Sequence, residues 1–269
     1  MRRIFRVKYL LCLMSLFTII SCSKEQHEVT RISDYSPWSM IYPSTYKMNH
    51  LEQSTGVRIK LIYDNKGRIS ERIGGFSLTS GIGGEYFKYS DKIKTIVKYD
   101  NNTATISTHS LIESYNTHSR LITLFFEGNK LVKRIEDSVY PYVDNKDITE
   151  YYYDTTGKIS RTVETKEYKI IESTYHYDEN DNLHQVILIN SDSRGEALMP
   201  KETITFSDYD NVKNLTKNLR IFKECFYRSL SRNNFRKYTH EQYDTNGNVV
   251  YKQQYTFDIL YDDDNNPIY

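Results

Sequence analysis

From residue 56 onward the chain alternates polar and apolar residues on a period of two, the mark of strands with one covered face. Val57, Ile59, Leu61 and Tyr63 share one side, and Arg58 and Lys60 share the other. Ile93, Thr95, Val97 and Tyr99 repeat this against Lys94 and Lys98. The same alternation predicts strands at about 119–126, 130–136, 147–153, 158–165, 168–177, 182–190, 201–207, 235–243 and 248–260. No stretch before residue 212 carries a helical period. Over 215–230 the pattern changes, with Leu219, Phe222, Phe226 and Leu230 on one helical face. A short helix or structured loop plugging one end of the sheet is expected there, and an irregular loop is the plainer alternative.

One turn punctuates the strands. Tyr153-Asp154-Thr155-Thr156-Gly157-Lys158-Ile159 has the pattern aromatic-Asp-x-x-Gly-x-aliphatic, and Tyr63–Ile69 and Tyr243–Val249 repeat it in full. Tyr177–Leu183 repeats it with Asp181 in place of the glycine. Asp at the first corner caps a type I turn, and the glycine takes the left-handed conformation of a G1 bulge. Asp tolerates that conformation, so Asp181 is a permitted substitute. Two-residue variants stand at Phe126–Leu131, through Gly128-Asn129, and at Tyr99–Thr103, through Asn101-Asn102, with positive φ expected at both central residues. The turn sets the register, so Tyr63 should face Ile69, Tyr153 Ile159, Tyr177 Leu183 and Tyr243 Val249.

Repetition of one hairpin unit predicts an all-β fold. The expected architecture is a long antiparallel meander whose sheet curves strongly, or closes into a barrel, to protect its edges. Alternate positions carry many Lys, Glu and Arg, which argues against a lipid-facing transmembrane barrel.

Residues 1–21 read as a lipoprotein signal peptide. Arg2, Arg3, Arg6 and Lys8 precede an apolar run, Leu10 to Ile20, too short to span a bilayer. Ile19-Ile20-Ser21-Cys22 resembles the lipobox of bacterial lipoproteins, which makes Cys22 the expected site of acylation, palmitate included. Residues 22–50 are then a lipid anchor and polar tether, and 51–269 one domain of β-hairpin repeats. The expected location is the outer membrane, on its periplasmic or cell-surface face, with the membrane as a partner through the lipid.

Tyr numbers 25 and Phe 11 against one Trp, which suits half-buried strands with wet hydroxyls. Lys plus Arg is 36 and Asp plus Glu 35, a balance without the basic footprint of a nucleic-acid binder. Cys225 lacks a partner His that spacing would identify and reads as a small buried residue.

Tyr-Asp-x-x-Gly-x-aliphatic resembles the YD repeat of Rhs-type proteins. Tyr209–Asn214 with Leu230–Asn234, and the ending Tyr261–Pro267, resemble a family of uncharacterised gut-bacterial lipoproteins with a porin-like β fold. The resemblance covers most of residues 50–269 and implies a fold, with no catalytic residue to carry over.

Candidate chemistry is sparse. If Tyr177 faces Leu183, His176 should face His184, where two imidazoles could share zinc or copper with a third ligand. Two exposed imidazoles beside a turn is the plainer reading. Asp178-x-Asn180-x-Asn182 and Asp262-x-Asp264-x-Asn266 have the oxygen spacing of a calcium loop but lack its Gly and Glu. Tyrosines such as Tyr152 could stack on sugars. No cofactor is expected. These readings favour a non-enzymatic binding or scaffold module for a glycan or protein. A barrel carrying a small apolar ligand and a hydrolase with convergent carboxylates are the alternatives.

Overall fold

The computed structural model describes residues 32–35, 59–81, 84–112, 121–137, 146–256, 259–261 and 267–268. The expected signal peptide, Cys22 and the Asp262–Asn266 loop lie outside them. Among the described residues, fourteen strands form one sheet in sequence order. They are β1 (Ile32–Tyr35), β2 (Ile59–Tyr63), β3 (Ile69–Gly81), β4 (Gly84–Asp100), β5 (Thr103–Ser110), β6 (Leu121–Glu127) and β7 (Lys130–Asp137). There follow β8 (Lys146–Tyr153), β9 (Ile159–Thr165), β10 (Lys169–Tyr177), β11 (Leu183–Asp192), β12 (Ala197–Tyr209), β13 (Phe235–Tyr243) and β14 (Val249–Thr256). Strands β15 (Leu260–Tyr261) and β16 (Pro267–Ile268) form a separate pair. The all-β antiparallel meander is as expected, and no described pairing joins β1 to β14, so the sheet is open. Strand β1 falls within the stretch expected as tether.

The turn motif builds one geometry wherever it occurs. The Asp154 carboxylate Oδ1 accepts from the backbone N–H of Thr156 at 2.8 Å and of Lys158 at 2.9 Å. Gly157, at φ +85°, donates back to the Asp154 carbonyl. Asp64, Asp178 and Asp244 repeat this, and Asp181 takes the glycine's place at φ +66°. Asp192-Ser193-Arg194-Gly195 is a further copy, at the end of the strands that also carries the Asp244 turn. In the two short variants only Asn101 and Gly128 take positive φ, correcting the expectation for both central residues; the first position alone is what a type II′ turn requires.

Tyr63, Tyr153, Tyr177 and Tyr243 face Ile69, Ile159, Leu183 and Val249, as the turn dictates. One residue later the ladder slips: His176 pairs with Gln185, leaving His184 in a bulge. The same slip follows Ile69, Leu131, Ile159 and Val249. A bulge reverses the parity of every later side chain on its strand. Buried positions therefore fall at Ile69 and Arg72, Leu131 and Arg134, Ile159 and Thr162, and Leu183 and Val186, three apart instead of two.

Successive hairpins are stitched through their tyrosines. The Tyr153 hydroxyl donates to the carbonyl of Leu131 at 2.8 Å, Tyr177 to Ile159 at 3.0 Å, and Tyr209 to Leu183 at 2.5 Å. Where a basic residue stands just before the aliphatic, it covers the next tyrosine's ring. Arg68 lies 4.0 Å from the Tyr99 ring centre, Lys130 5.0 Å from Tyr153, and Lys158 5.1 Å from Tyr177. Each such contact contributes on the order of 0.5–1 kcal/mol at a partly exposed site.

The β12–β13 connection is the same turn opened by an insertion. Tyr209 faces Phe235, Asp210 N–H donates to the Asn234 carbonyl, and the Asp210 carboxylate accepts from the Val212 and Asn234 N–H groups. Between them run a 3-10 helix (Leu215–Ile221), a second short one (Lys223–Cys225) and one α-helical turn, α1 (Phe226–Ser229). Helical structure was expected here, but it is three short pieces instead of one helix. Asn214 holds the insertion's ends together, accepting from Thr216 and donating to the carbonyls of Arg228 and Ser231.

This insertion fills the core. Leu219, Ile221, Phe222 and Cys225 join one cluster with inward residues from Leu61 in β2 to Tyr238 in β13. The Phe222 ring meets the Arg72 guanidinium of β3 at 4.1 Å, and the Arg228 guanidinium lies 3.9 Å over the Phe235 ring of β13. Laid flat, β3 and β13 would stand about 48 Å apart. Phe222 and Arg228 are separated by only ~12 Å of helical rise. The sheet therefore curls around the insertion.

Candidate functional site

Past the apolar core, the inner face turns polar at the strand ends away from the Tyr153 and Tyr177 turns. Two clusters occupy it. The first spans β7 to β9: Arg134 Nε meets Glu136 Oε1 at 2.6 Å, and Lys223 of the insertion meets Glu164 Oε1 at 2.7 Å beside Lys166 at 3.3 Å. Arg134 also donates to the Ile221 carbonyl. Burial pushes the Glu164 carboxyl up, but Lys223 and Lys166 outweigh it and hold it below the usual carboxylate range. Asp147 goes the other way: burial raises it, and Glu164 and Glu136 add to the rise. Every carboxylate and cation here has an opposite partner nearby, and the cluster clamps the insertion to the sheet.

The second cluster spans β11 to β14. His240 Nε2 lies 2.8 Å from Glu202 Oε2, and Asn190 Nδ2 donates to Glu202 Oε1 at 2.9 Å. With Gln242 as a further donor, these hydrogen bonds, led by His240, lower the Glu202 carboxyl despite its burial. Glu202 is thus spent on orienting its neighbours. Tyr251 of β14 sets its ring edge-to-face against the His240 ring, 5.8 Å between centres, and its hydroxyl bonds Gln253. Tyr251 is 42 % exposed, and Tyr255 stacks on Tyr238 at 4.8 Å on the same strand pair. Glu164, Lys223 and Glu202 all bear on the Tyr227 hydroxyl, so Tyr227 lies between the two clusters.

The residues singled out from the sequence are elsewhere. His176 and His184 are both exposed, but they do not face one another; the bulge after Leu183 gives His176 to Gln185. Among the described residues no group of three or more His, Cys, Asp or Glu is placed to hold a metal ion. Asp178 and Asn182 serve the turn, and Asn182 Oδ1 accepts from Asn233 N–H. Tyr152 is exposed on the outer face, but Arg161 stands 5.1 Å over its ring. Cys225 is buried in the core. Sequence reasoning missed Asn190, Glu202, His240 and Tyr251. The signal was parity: Glu202 and His240 occupy inward positions in line with Ile204, Phe206 and Tyr238, where strands otherwise place apolar residues.

No protein-family model matches the chain, and no curated protein sequence matches it. Among solved structures it is similar to a porin-like protein from Bacteroides uniformis, at 13% identity and TM-score 0.41, over 74% of this chain and 86% of that one. It is also similar to a porin-like protein from Bacteroides vulgatus, at 13% identity and TM-score 0.45, over 81% of this chain and 87% of that one.

Proposed function

We propose that this chain is a non-enzymatic binding module, held at the outer membrane by a lipid on Cys22, that presents a glycan-binding surface. The observation that carries the reading is the second cluster. A partly exposed tyrosine, an oriented imidazole and several amides stand together on a sheet whose strands are pinned by repeated tyrosine contacts. Such groups offer one aromatic face and several directional polar contacts, which is what a sugar ring requires. The carboxylates of the two clusters with ion-pair or hydrogen-bond partners are committed: Glu136 to Arg134, Glu164 to two lysines, Glu202 to three donors. A carrier of apolar ligands would need a cavity where Leu219, Ile221 and Phe222 pack.

The test is a glycan array probed with the full chain in detergent micelles, beside a pull-down from envelope extract. Binding to a defined set of glycans without release of shorter products supports the reading. A protein partner captured with no glycan bound moves it to the protein-binding form. Labelling with a palmitate analogue checks the anchor: wild type incorporates label and Cys22→Ala does not.

One observation favours a hydrolase as the second reading. Asp147 and Glu164 lie near each other with their carboxyl pKa values pushed in opposite directions, the arrangement of an acid and a base. Cleavage of any array glycan, abolished in Asp147→Asn, would replace the binding reading with this one.

A further inference from the structure

The bound glycan's location and charge class follow from the second cluster, on the footing that the chain binds glycans at all. We infer that the ligand is an uncharged oligosaccharide, seated on Tyr251 at the β13–β14 margin of the inner face and hydrogen-bonded through His240 and the neighbouring amides.

Three features lead there. Strand β14 ends the sheet order, with β13 as its one described neighbour, so Tyr251 is reached from the open margin. Among the described strand residues the two exposed tyrosines, Tyr152 and Tyr251, are each 42 % exposed, but Tyr152 has Arg161 over its ring, whereas Tyr251 touches His240 edge-to-face. A sugar ring lies flat on such an aromatic face through its C–H groups and turns its hydroxyls to the rim. Glu202 fixes one nitrogen of His240 and thereby the ring's orientation, leaving Nδ1 as the nitrogen turned away from the carboxylate.

The charge class follows from what stands around the site. Glu202 brings a negative charge to the cluster, and Lys252 of β14 pairs with Glu241, at 2.7 Å, on the opposite face of the sheet from Tyr251. A uronate or sulfated sugar would bring a second negative charge up to the Glu202 carboxylate. An uncharged sugar meets only donors and acceptors.

The test titrates the full chain in micelles with cellohexaose, mannohexaose, chitohexaose and hexagalacturonate. The variants are Tyr251→Ala, Tyr251→Phe and His240→Gln, each checked for wild-type circular dichroism and thermal midpoint. Expected is binding of at least one uncharged hexasaccharide and none of hexagalacturonate. Tyr251→Ala should weaken binding about tenfold or more, Tyr251→Phe less than about threefold, because the ring face carries the contact. Undiminished binding by Tyr251→Ala overturns the location while glycan binding itself stands. Binding of hexagalacturonate as tight as the uncharged sugars overturns the charge class. No binding of any glycan by wild type, here and on the array, removes the reading and the inference together.

Discussion

The hydroxyl of Tyr177 donates to the carbonyl of Ile159, 3.0 Å away in the preceding hairpin. Tyr177 belongs to one turn and Ile159 to the one before, so the bond couples neighbouring repeats. Lys158, one residue earlier, covers the same tyrosine's ring. The β6–β7 and β8–β9 turns thus each supply a carbonyl and a cation to the tyrosine of the next turn along that end of the sheet, and the turn motif doubles as an inter-repeat joint.

Tyr177→Phe keeps the ring and removes this bond. A partly buried hydrogen bond of this kind contributes about 1 kcal/mol. The urea midpoint should fall accordingly with little change in slope, and Tyr153→Phe should behave alike. Wild-type stability in both variants would show the joint to be incidental.

Gly157 sits at φ +85° with no heavy atom nearer its would-be Cβ than the Lys130 side chain at 3.9 Å. Space is available, so only the backbone conformation opposes a side chain. Gly157→Ala should cost roughly 1 kcal/mol in thermal or urea unfolding. A neutral result would mean that the turn relaxes to another type.

Asn214 is buried, and its side chain makes four hydrogen bonds that hold the two ends of the insertion together. Asn214→Ala leaves buried carbonyls and an N–H without partners, at about 2–4 kcal/mol. Hydrogen exchange should show protection lost over 215–229 before the strands loosen. Uniform loss across the sheet would show instead that the insertion and the sheet open as one unit.

Acid should loosen the insertion's clamp. The Glu164 carboxyl is held low by Lys223 and Lys166 against the opposing effect of burial. Its stabilising contribution is therefore present above the unfolded carboxyl value near pH 4.3 and is lost as pH falls through the lower folded value. Asp147, raised by burial, has the opposite sign: stability is fullest below its unfolded value and declines as pH rises through its folded one. Urea midpoints measured from pH 7 to 3 should fall less in Glu164→Gln than in wild type. Asp147→Asn should gain stability at pH 7. Parallel curves for wild type and Glu164→Gln would remove the clamp's role.

The turns were legible because Asp and Gly each perform one local task, visible in four or five residues. Tyr153 and Ile159 were paired correctly from that alone. The bulge one residue further on was not legible, since no residue type marks it; Ser160, His184 and Val250 share no feature that demands it. That slip undid the pairing of His176 with His184. Asp192–Gly195 was missed because Ser191 and Ala197 stand where other copies have an aromatic and a large aliphatic residue. The polar cluster on the inner face joins Asn190, Glu202, His240 and Tyr251 from four strands; Glu202 and His240 meet across an unbroken ladder, whereas Asn190 and Tyr251 reach them through shifted registers.

The most direct measurement of the central claim is a crystal structure of the full chain with the tightest-binding uncharged oligosaccharide. Intact sugar density stacked on Tyr251, within hydrogen-bonding reach of His240, is the predicted result. Density at another place, or a cleaved sugar beside Asp147 and Glu164, would contradict it.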